Sequence, residues 1–164
     1  MSSRPTLDLP DVELANVGPG PDPCSLPALA ADHDALLVVL QRDHHCTYCR
    51  KQVQQVAERY DEFAERGVEV VSVVPEERDL VAEWQAAYDL PYPLLADPDA
   101  TLGSALDQPV RFGPLGRLSD FLGRMPEALV FDCRDEPRLA WVHRGSSTFD
   151  RPSVDDLLAA VDDL

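Results

Sequence analysis

Two apolar runs on either side of an amphipathic segment constrain this chain more than any other feature. Residues 35–41 form a continuous apolar run, the mark of a strand covered on both faces, and residues 68–74 read as a second strand. Between them, Cys49, Val53, Val56, Tyr60 and Phe63 recur in steps of four, three, four and three, a helical stripe that Gly67 ends. Strand, helix and strand in this order form a β-α-β unit, so the two strands should be parallel with a right-handed crossover.

The segment Cys46-Thr47-Tyr48-Cys49 lies where the first strand gives way to this helix, whose start is expected near His45 or Cys46. Two cysteines three residues apart at a helix start can close a small disulfide ring. The first also meets the unpaired N–H groups of the helix end, which favour its thiolate, the reactive form of the thiol. Cys46 is therefore expected to be the nucleophile. Cys49 lies on the apolar stripe and is expected to be the less exposed, resolving thiol. The neighbouring His44 and His45 suggest a metal site, with His143 as a distant further ligand. Adjacent histidines point in different directions, however, and zinc sites usually pair two separated ligand clusters, so no metal is expected. A protonated imidazole of His44 or His45 would instead stabilise the Cys46 thiolate. Asp43 would oppose it, or would cap the helix.

Elsewhere the pattern is mixed. Residues 1–34 are rich in Pro, Gly and Asp, with a short hairpin strand expected within 7–17 and a loop at 24–29. Pro75 opens a helix with Leu80, Val81, Trp84, Ala87 and Tyr88 facing inward. Residues 92–96 read as a short strand, and Asp97-Pro98 as the cap of a brief helix running to Leu106. Residues 108–123 suggest a packed, partly helical loop. Residues 128–132 and 139–143 read as an antiparallel pair, and 154–164 as a final helix. Trp84, Trp141, Tyr60 and Tyr88 are expected in the core. Cys133 and Cys24 lie apart from the pair; either is a possible third resolving thiol, but both are expected to be unpaired.

The chain has 164 residues and a formal charge of −16, with one lysine, Lys51, among fourteen basic residues and twenty aspartates among thirty acids. Such an acidic, lysine-poor surface is the pattern of proteins from very salty cytoplasm, where salt screens self-repulsion. It argues against nucleic acid and anionic membranes as partners. No segment suits a bilayer span and residues 1–10 lack a signal-peptide core, so the cytoplasm is the expected location.

The order β-α-β then β-β-α, with C-x-x-C at the first helix, resembles the thioredoxin fold. The N-terminal extension and the insertion over roughly 75–122 resemble its peroxiredoxin or redoxin branch. The string from Leu40 through Arg42, Cys46, Tyr48 and Cys49 to Arg50 resembles the alkyl hydroperoxide reductase/thiol-specific antioxidant family, in which an Arg often stands four before the first Cys and an aromatic before the second. The resemblance implies an α/β protein whose central mixed sheet has helices on both faces. It implies a single thioredoxin-like domain over 1–164, with 1–34 an N-terminal extension and 35–164 the core. It also implies that Pro126, following Met125, is cis and packs against the cysteine pair, shaping a shelf for the substrate chain.

Three positions depart from peroxiredoxins. Asp43 stands where they have Thr or Ser, Val39 where they have Pro, and Pro126 where their active-site Arg falls. Arg42 or Arg124 could replace that guanidinium. The expected function is thus thiol-disulfide oxidoreduction through Cys46, Cys49 and Pro126, supported by Arg42, His45, Tyr48, Met125 and Arg124. Hydroperoxide reduction through the same Cys46 is the alternative, and a redox-inert binding or metal-handling module the second. No cofactor is expected. The implied partners are a protein disulfide or hydroperoxide and a thioredoxin-like or low-molecular-weight thiol donor.

Overall fold

The computed structural model describes residues 8–110 and 124–164. Strands β1 (Glu13–Asn16), β2 (Cys24–Ser25), β3 (Ala35–Leu40), β4 (Val68–Val74), β5 (Leu94–Ala96), β6 (Glu127–Asp132) and β7 (Arg138–Arg144) form one sheet in the order β2-β1-β5-β4-β3-β6-β7. β3 pairs parallel with β4 and antiparallel with β6, so the sheet is mixed. Six helices are described: α1 (Leu26–Ala31), α2 (Thr47–Glu58), α3 (Tyr60–Ala64), α4 (Arg78–Tyr88), α5 (Thr101–Ala105) and α6 (Val154–Asp162).

The alternation of side chains along the central strands divides the interior into two cores. Leu37, Val39, Val70, Val74, Ala128 and Val130 point to one face, where α2, α3, α4 and α6 bring Val53, Val56, Phe63, Trp84 and Leu157. Leu36, Val38, Leu40, Val71, Val73, Leu129 and Phe131 point to the other, which α1 and α5 cover with Leu26, Leu29 and Leu102. Every β3 residue is buried, as its unbroken apolar run requires. The expected mixed sheet with helices on both faces is what the chain forms.

The local differences have physical causes. Residues 24–29 form a strand and a helix instead of a loop. Ser25 caps α1 by accepting the Ala28 N–H, with a proline in the first turn, and α1 buries Leu26 and Leu29. The long helix expected up to Gly67 divides at Arg59, whose backbone leaves the helical region (φ −116°, ψ 21°). α4 begins at Arg78, three residues after Pro75, and Ala87 is exposed while Leu90 is buried in its place. The brief helix starts later than the Asp97-Pro98 cap implies, at Thr101 after Ala100 in the left-handed region, yet Asp97 still holds its first turn, since its carboxylate accepts the N–H groups of Thr101 and Leu102, both at 2.9 Å. Most of the loop expected at 108–123 lies outside the described residues. No helix is long and apolar enough to cross a membrane among the described residues.

Asn16 ties the N-terminal strands to the rest of the sheet. Its buried amide donates to the carbonyls of Pro19 and Pro21 and accepts the N–H groups of Gly18 and Leu94. Asn16→Ala leaves those groups without partners inside the protein, at about 1–3 kcal/mol for an orphaned buried group. We expect a loss of about 2–4 kcal/mol in urea unfolding, with Asn16→Asp losing at least as much, since it turns a carboxylate oxygen toward the Pro19 and Pro21 carbonyls.

Candidate active site

The two cysteines meet the helix start in different ways. Cys46 is the N-cap of α2, in extended conformation, and its Sγ accepts the Cys49 N–H at 3.2 Å. The sulfur thus takes the place of the usual capping oxygen, and one unpaired donor of the helix end is aimed at it. Asp43 does not cap the helix, contrary to one expectation; its Oδ1 accepts the His45 N–H at 2.8 Å. Cys49 is fully buried on the apolar stripe, and the Arg42 backbone N–H donates to its Sγ at 3.3 Å. All four cysteines are free thiols.

The guanidinium that reaches the sulfurs comes from Arg151, in the segment between β7 and α6. Its Nη2 donates to Cys49 Sγ at 2.9 Å and to Cys46 Sγ at 3.4 Å. Its other hydrogens go to uncharged acceptors: Nη1 to Gln52 Oε1 at 2.8 Å and Gln41 Oε1 at 3.4 Å, and Nε to the Thr148 carbonyl at 2.8 Å. These partners hold the guanidinium in place without neutralising it, so its positive charge remains available to a thiolate. The segment is itself braced: Asp150 accepts from Ser146 at 2.8 Å and lies 3.0 Å from His143 Nε2.

The two thiols are driven apart electrostatically. The Cys46 pKa falls to about 6, chiefly because the Cys49 thiol donates to it, helped by the Cys49 N–H and the Arg151 charge, against burial and the Asp43 carboxylate. Cys49 moves the opposite way, raised above all by burial and then by Cys46. At neutral pH the pair therefore holds a Cys46 thiolate beside a Cys49 thiol. The expected order of exposure is present, but the margin is small: 6% for Cys46 against 0% for Cys49.

Several expected partners lie elsewhere. Among the described residues the cis peptide is Asp22–Pro23; Met125–Pro126 is trans, contrary to the expectation for a thioredoxin-type shelf. This stretch enters β6 held from two sides. Met125 N–H donates to the Pro109 carbonyl, Met125 C=O accepts from Gln108, and Pro126 C=O accepts the Gly145 N–H. The Pro126 ring packs on Gly145, where a Cβ would come within 2.7 Å of its Cγ. The Arg42 guanidinium is likewise directed at a backbone group, its Nε donating to the Arg124 carbonyl at 2.8 Å. His44 is buried with Nε2 2.8 Å from Glu83, while its carbonyl accepts from Trp84 and Arg50. His45 is exposed, edge-on to His44 at 4.9 Å. Among the described residues neither imidazole donates to a sulfur. Tyr48 is exposed beside the pair and stacks edge-on with exposed Phe149, centroids 4.6 Å apart. Cys24 and Cys133 belong to the core on the opposite face of the sheet, with their thiol pKa values pushed up to about 11 chiefly by burial. The sheet separates them from Cys46, so neither is placed to resolve it.

Sequence reasoning missed Arg151, Gln41, Gln52 and Phe149. Gln52 was legible as a polar residue beside Val53 on the helical stripe, and Gln41 as the polar continuation of the inward series Leu37, Val39. Nothing in the spacing identifies Arg151, which is 105 residues from Cys46. Arg151→Met is expected to move the Cys46 titration, read by thiolate absorbance, up by about 1–2 pH units, the usual effect of removing a nearby opposite charge. Iodoacetamide should label Cys46 before Cys49 in the parent protein. An equal displacement in Arg42→Met would return the role to Arg42.

Comparison with known proteins bears on the family and the fold. Residues 6–132 match the AhpC/TSA family. A search of curated protein sequences finds no match. Among solved structures, the peroxidoxin BcpB of Mycobacterium tuberculosis superposes with a TM-score of 0.78 at 20% identity, covering 96% of this chain and 95% of its own. The bacterioferritin comigratory protein of Xanthomonas campestris, studied for alkyl peroxide reduction, gives 0.77 at 20% identity, covering 96% of each chain. A cysteine-to-serine mutant of peroxiredoxin 6 from Arenicola marina gives 0.73 at 12% identity, covering 98% of this chain and 73% of its own. At such identities these likenesses establish the fold, and the family match carries the assignment. The chain belongs to the AhpC/TSA family and is a thiol-dependent oxidoreductase with the peroxiredoxin-like form of the thioredoxin fold.

Proposed function

We propose that this protein is a thiol peroxidase that reduces hydroperoxides at Cys46 and resolves the product with Cys49. The observation that carries the proposal is the Arg151 guanidinium spanning both sulfurs. The sequence favoured disulfide exchange because Asp43 stands where peroxiredoxins have a hydroxyl residue and Pro126 where they have their arginine. Arg151 supplies an equivalent charge from another part of the chain, and the family match favours the peroxide reading.

The chemistry follows from the two unequal thiols. The Cys46 thiolate attacks one oxygen of the hydroperoxide; an S–O bond forms, the O–O bond breaks, and the alkoxide or hydroxide leaves and takes up a proton. Cys46 becomes a sulfenic acid. Cys49, held protonated until then, attacks the Cys46 sulfur, loses its proton and expels water, closing the Cys46–Cys49 disulfide. Both residues lie at one helix start, so closure needs little movement of the backbone. A thioredoxin-like or low-molecular-weight dithiol then restores the pair by two exchange steps. The Tyr48–Phe149 rim gives the incoming molecule an apolar edge beside the sulfur.

Hydrogen peroxide is expected to consume two of the four thiols, those of Cys46 and Cys49, and to leave Cys24 and Cys133. Cys49→Ser should lose one thiol and accumulate a sulfenic acid that dimedone captures, while Cys46→Ser should not react. The rate in the parent protein should rise through about pH 6 and level off above it, following the Cys46 thiolate. A protein oxidised readily by a protein disulfide, but no faster by peroxide than free cysteine, would be a disulfide oxidoreductase instead.

A further inference from the structure

We propose that the Gln41 side-chain amide donates a hydrogen bond to the hydroperoxide oxygens at Cys46, doing there what the hydroxyl missing at Asp43 would otherwise do. The inference rests on the peroxidase reading above and extends it to a group that binds the substrate.

Gln41 follows the last residue of β3 and continues the inward-facing series Leu37, Val39, so its side chain enters the core that contains the cysteines. Its backbone is fixed on both sides: its N–H donates to the Val73 carbonyl at 2.9 Å, and its C=O accepts from Gln108 at 3.1 Å. The side chain is fully buried, and its Oε1 accepts Arg151 Nη1, the same guanidinium whose Nη2 touches both sulfurs. A guanidinium can only donate, so the amide atom facing it must be the oxygen. That orientation commits Nε2 as the remaining donor, and this buried NH2 has no hydrogen-bond partner among the described residues.

A buried donor without an acceptor is costly enough that folded proteins seldom keep one. Gln41 shares the Arg151 guanidinium with the Cys46 sulfur that must receive an oxygen-rich substrate, and there such a donor has a chemical use. When the Cys46 sulfur attacks, negative charge grows on the departing oxygen. A fixed donor stabilises that charge more than it stabilises the neutral hydroperoxide. The adjacent groups differ from it: Asp43 is a carboxylate that accepts from His45, and although the Gln52 oxygen also accepts from Arg151, it is the Gln41 NH2 and not that of Gln52 that is buried without a partner among the described residues. Gln41 transfers no proton; the departing oxygen takes its proton from solvent.

Gln41→Met keeps the length of the side chain and removes the donor. The test compares the second-order rate of Cys46 with hydrogen peroxide against its rate with a small aromatic disulfide, which reports thiolate reactivity without oxygen transfer, and follows the Cys46 titration. We expect the peroxide rate to fall about ten- to a hundredfold, the worth of one hydrogen bond to a developing charge. The disulfide rate should change less than about twofold. Gln41→Asn keeps the amide but shortens its reach, and should lose peroxide rate selectively as well. Parallel losses with both reagents, or a displaced Cys46 titration that accounts for the loss, would mean that Gln41 acts only through Arg151 or through folding, and would overturn the proposal. An unchanged peroxide rate would overturn it and leave the peroxidase reading intact. A parent protein that does not react with peroxide would overturn both.

Discussion

One guanidinium shared between two sulfurs organises this site. Arg151 lies within hydrogen-bond distance of both Cys46 and Cys49, and its remaining hydrogens go to two glutamines and a carbonyl. The choice of uncharged acceptors matters. A carboxylate in the place of Gln52 would hold the arginine as well and would cancel its charge. In a chain with thirty acidic residues, no carboxylate among the described residues pairs with this cation. The arginines far from the site show the other pattern: Arg66 pairs with Asp162, Arg78 with Asp22, and Arg134 and Arg138 with Asp132.

The sheet positions everything else. Because side chains alternate along β3, Leu37, Val39 and Gln41 share a face, and that face receives Cys49 and Gln52 from α2. The same alternation sends Leu36, Val38 and Leu40 to the opposite core with Cys24 and Cys133. The four cysteines are therefore sorted into two chemically separate pairs by strand geometry. One pair sits at a helix end beside a cation and is electrostatically split. The other is surrounded by aliphatic side chains that suppress ionisation.

Polar anchors join the moving chemistry to this fixed frame. His44 offers its carbonyl to Trp84 and Arg50, which ties the residues before Cys46 to α4. Tyr92 donates to the Val53 carbonyl at 2.7 Å and so anchors the middle of α2 from below. Asp150 braces the segment that presents Arg151. The cysteine pair is thus held from the β3 end, from the helix and from the segment before α6.

The elements that repeat at short range were legible in the sequence. The apolar runs of β3 and β4, the stripe from Cys49 to Phe63, and the placement of Cys46 and Cys49 at a helix start all follow from periodicity, because burial imposes a spacing of two or about 3.6 on neighbouring residues. The α1 helix was missed because a short, Pro-containing segment carries too few turns to display a period. The position of Pro126 was misread because an X-Pro bond adopts whichever isomer its surroundings favour, and those surroundings are the distant Pro109 and Gly145. The arginine of the site was misassigned for the same kind of reason. A guanidinium at the end of a long side chain is placed by whatever backbone presents it, and the folding of β7 and α6 onto the sheet brings Arg151 to Cys46. The sequence by itself determined which two thiols sit at a helix start and on which element they sit; only the tertiary structure decided which cation reaches them, because contacts between distant residues leave no period in the chain.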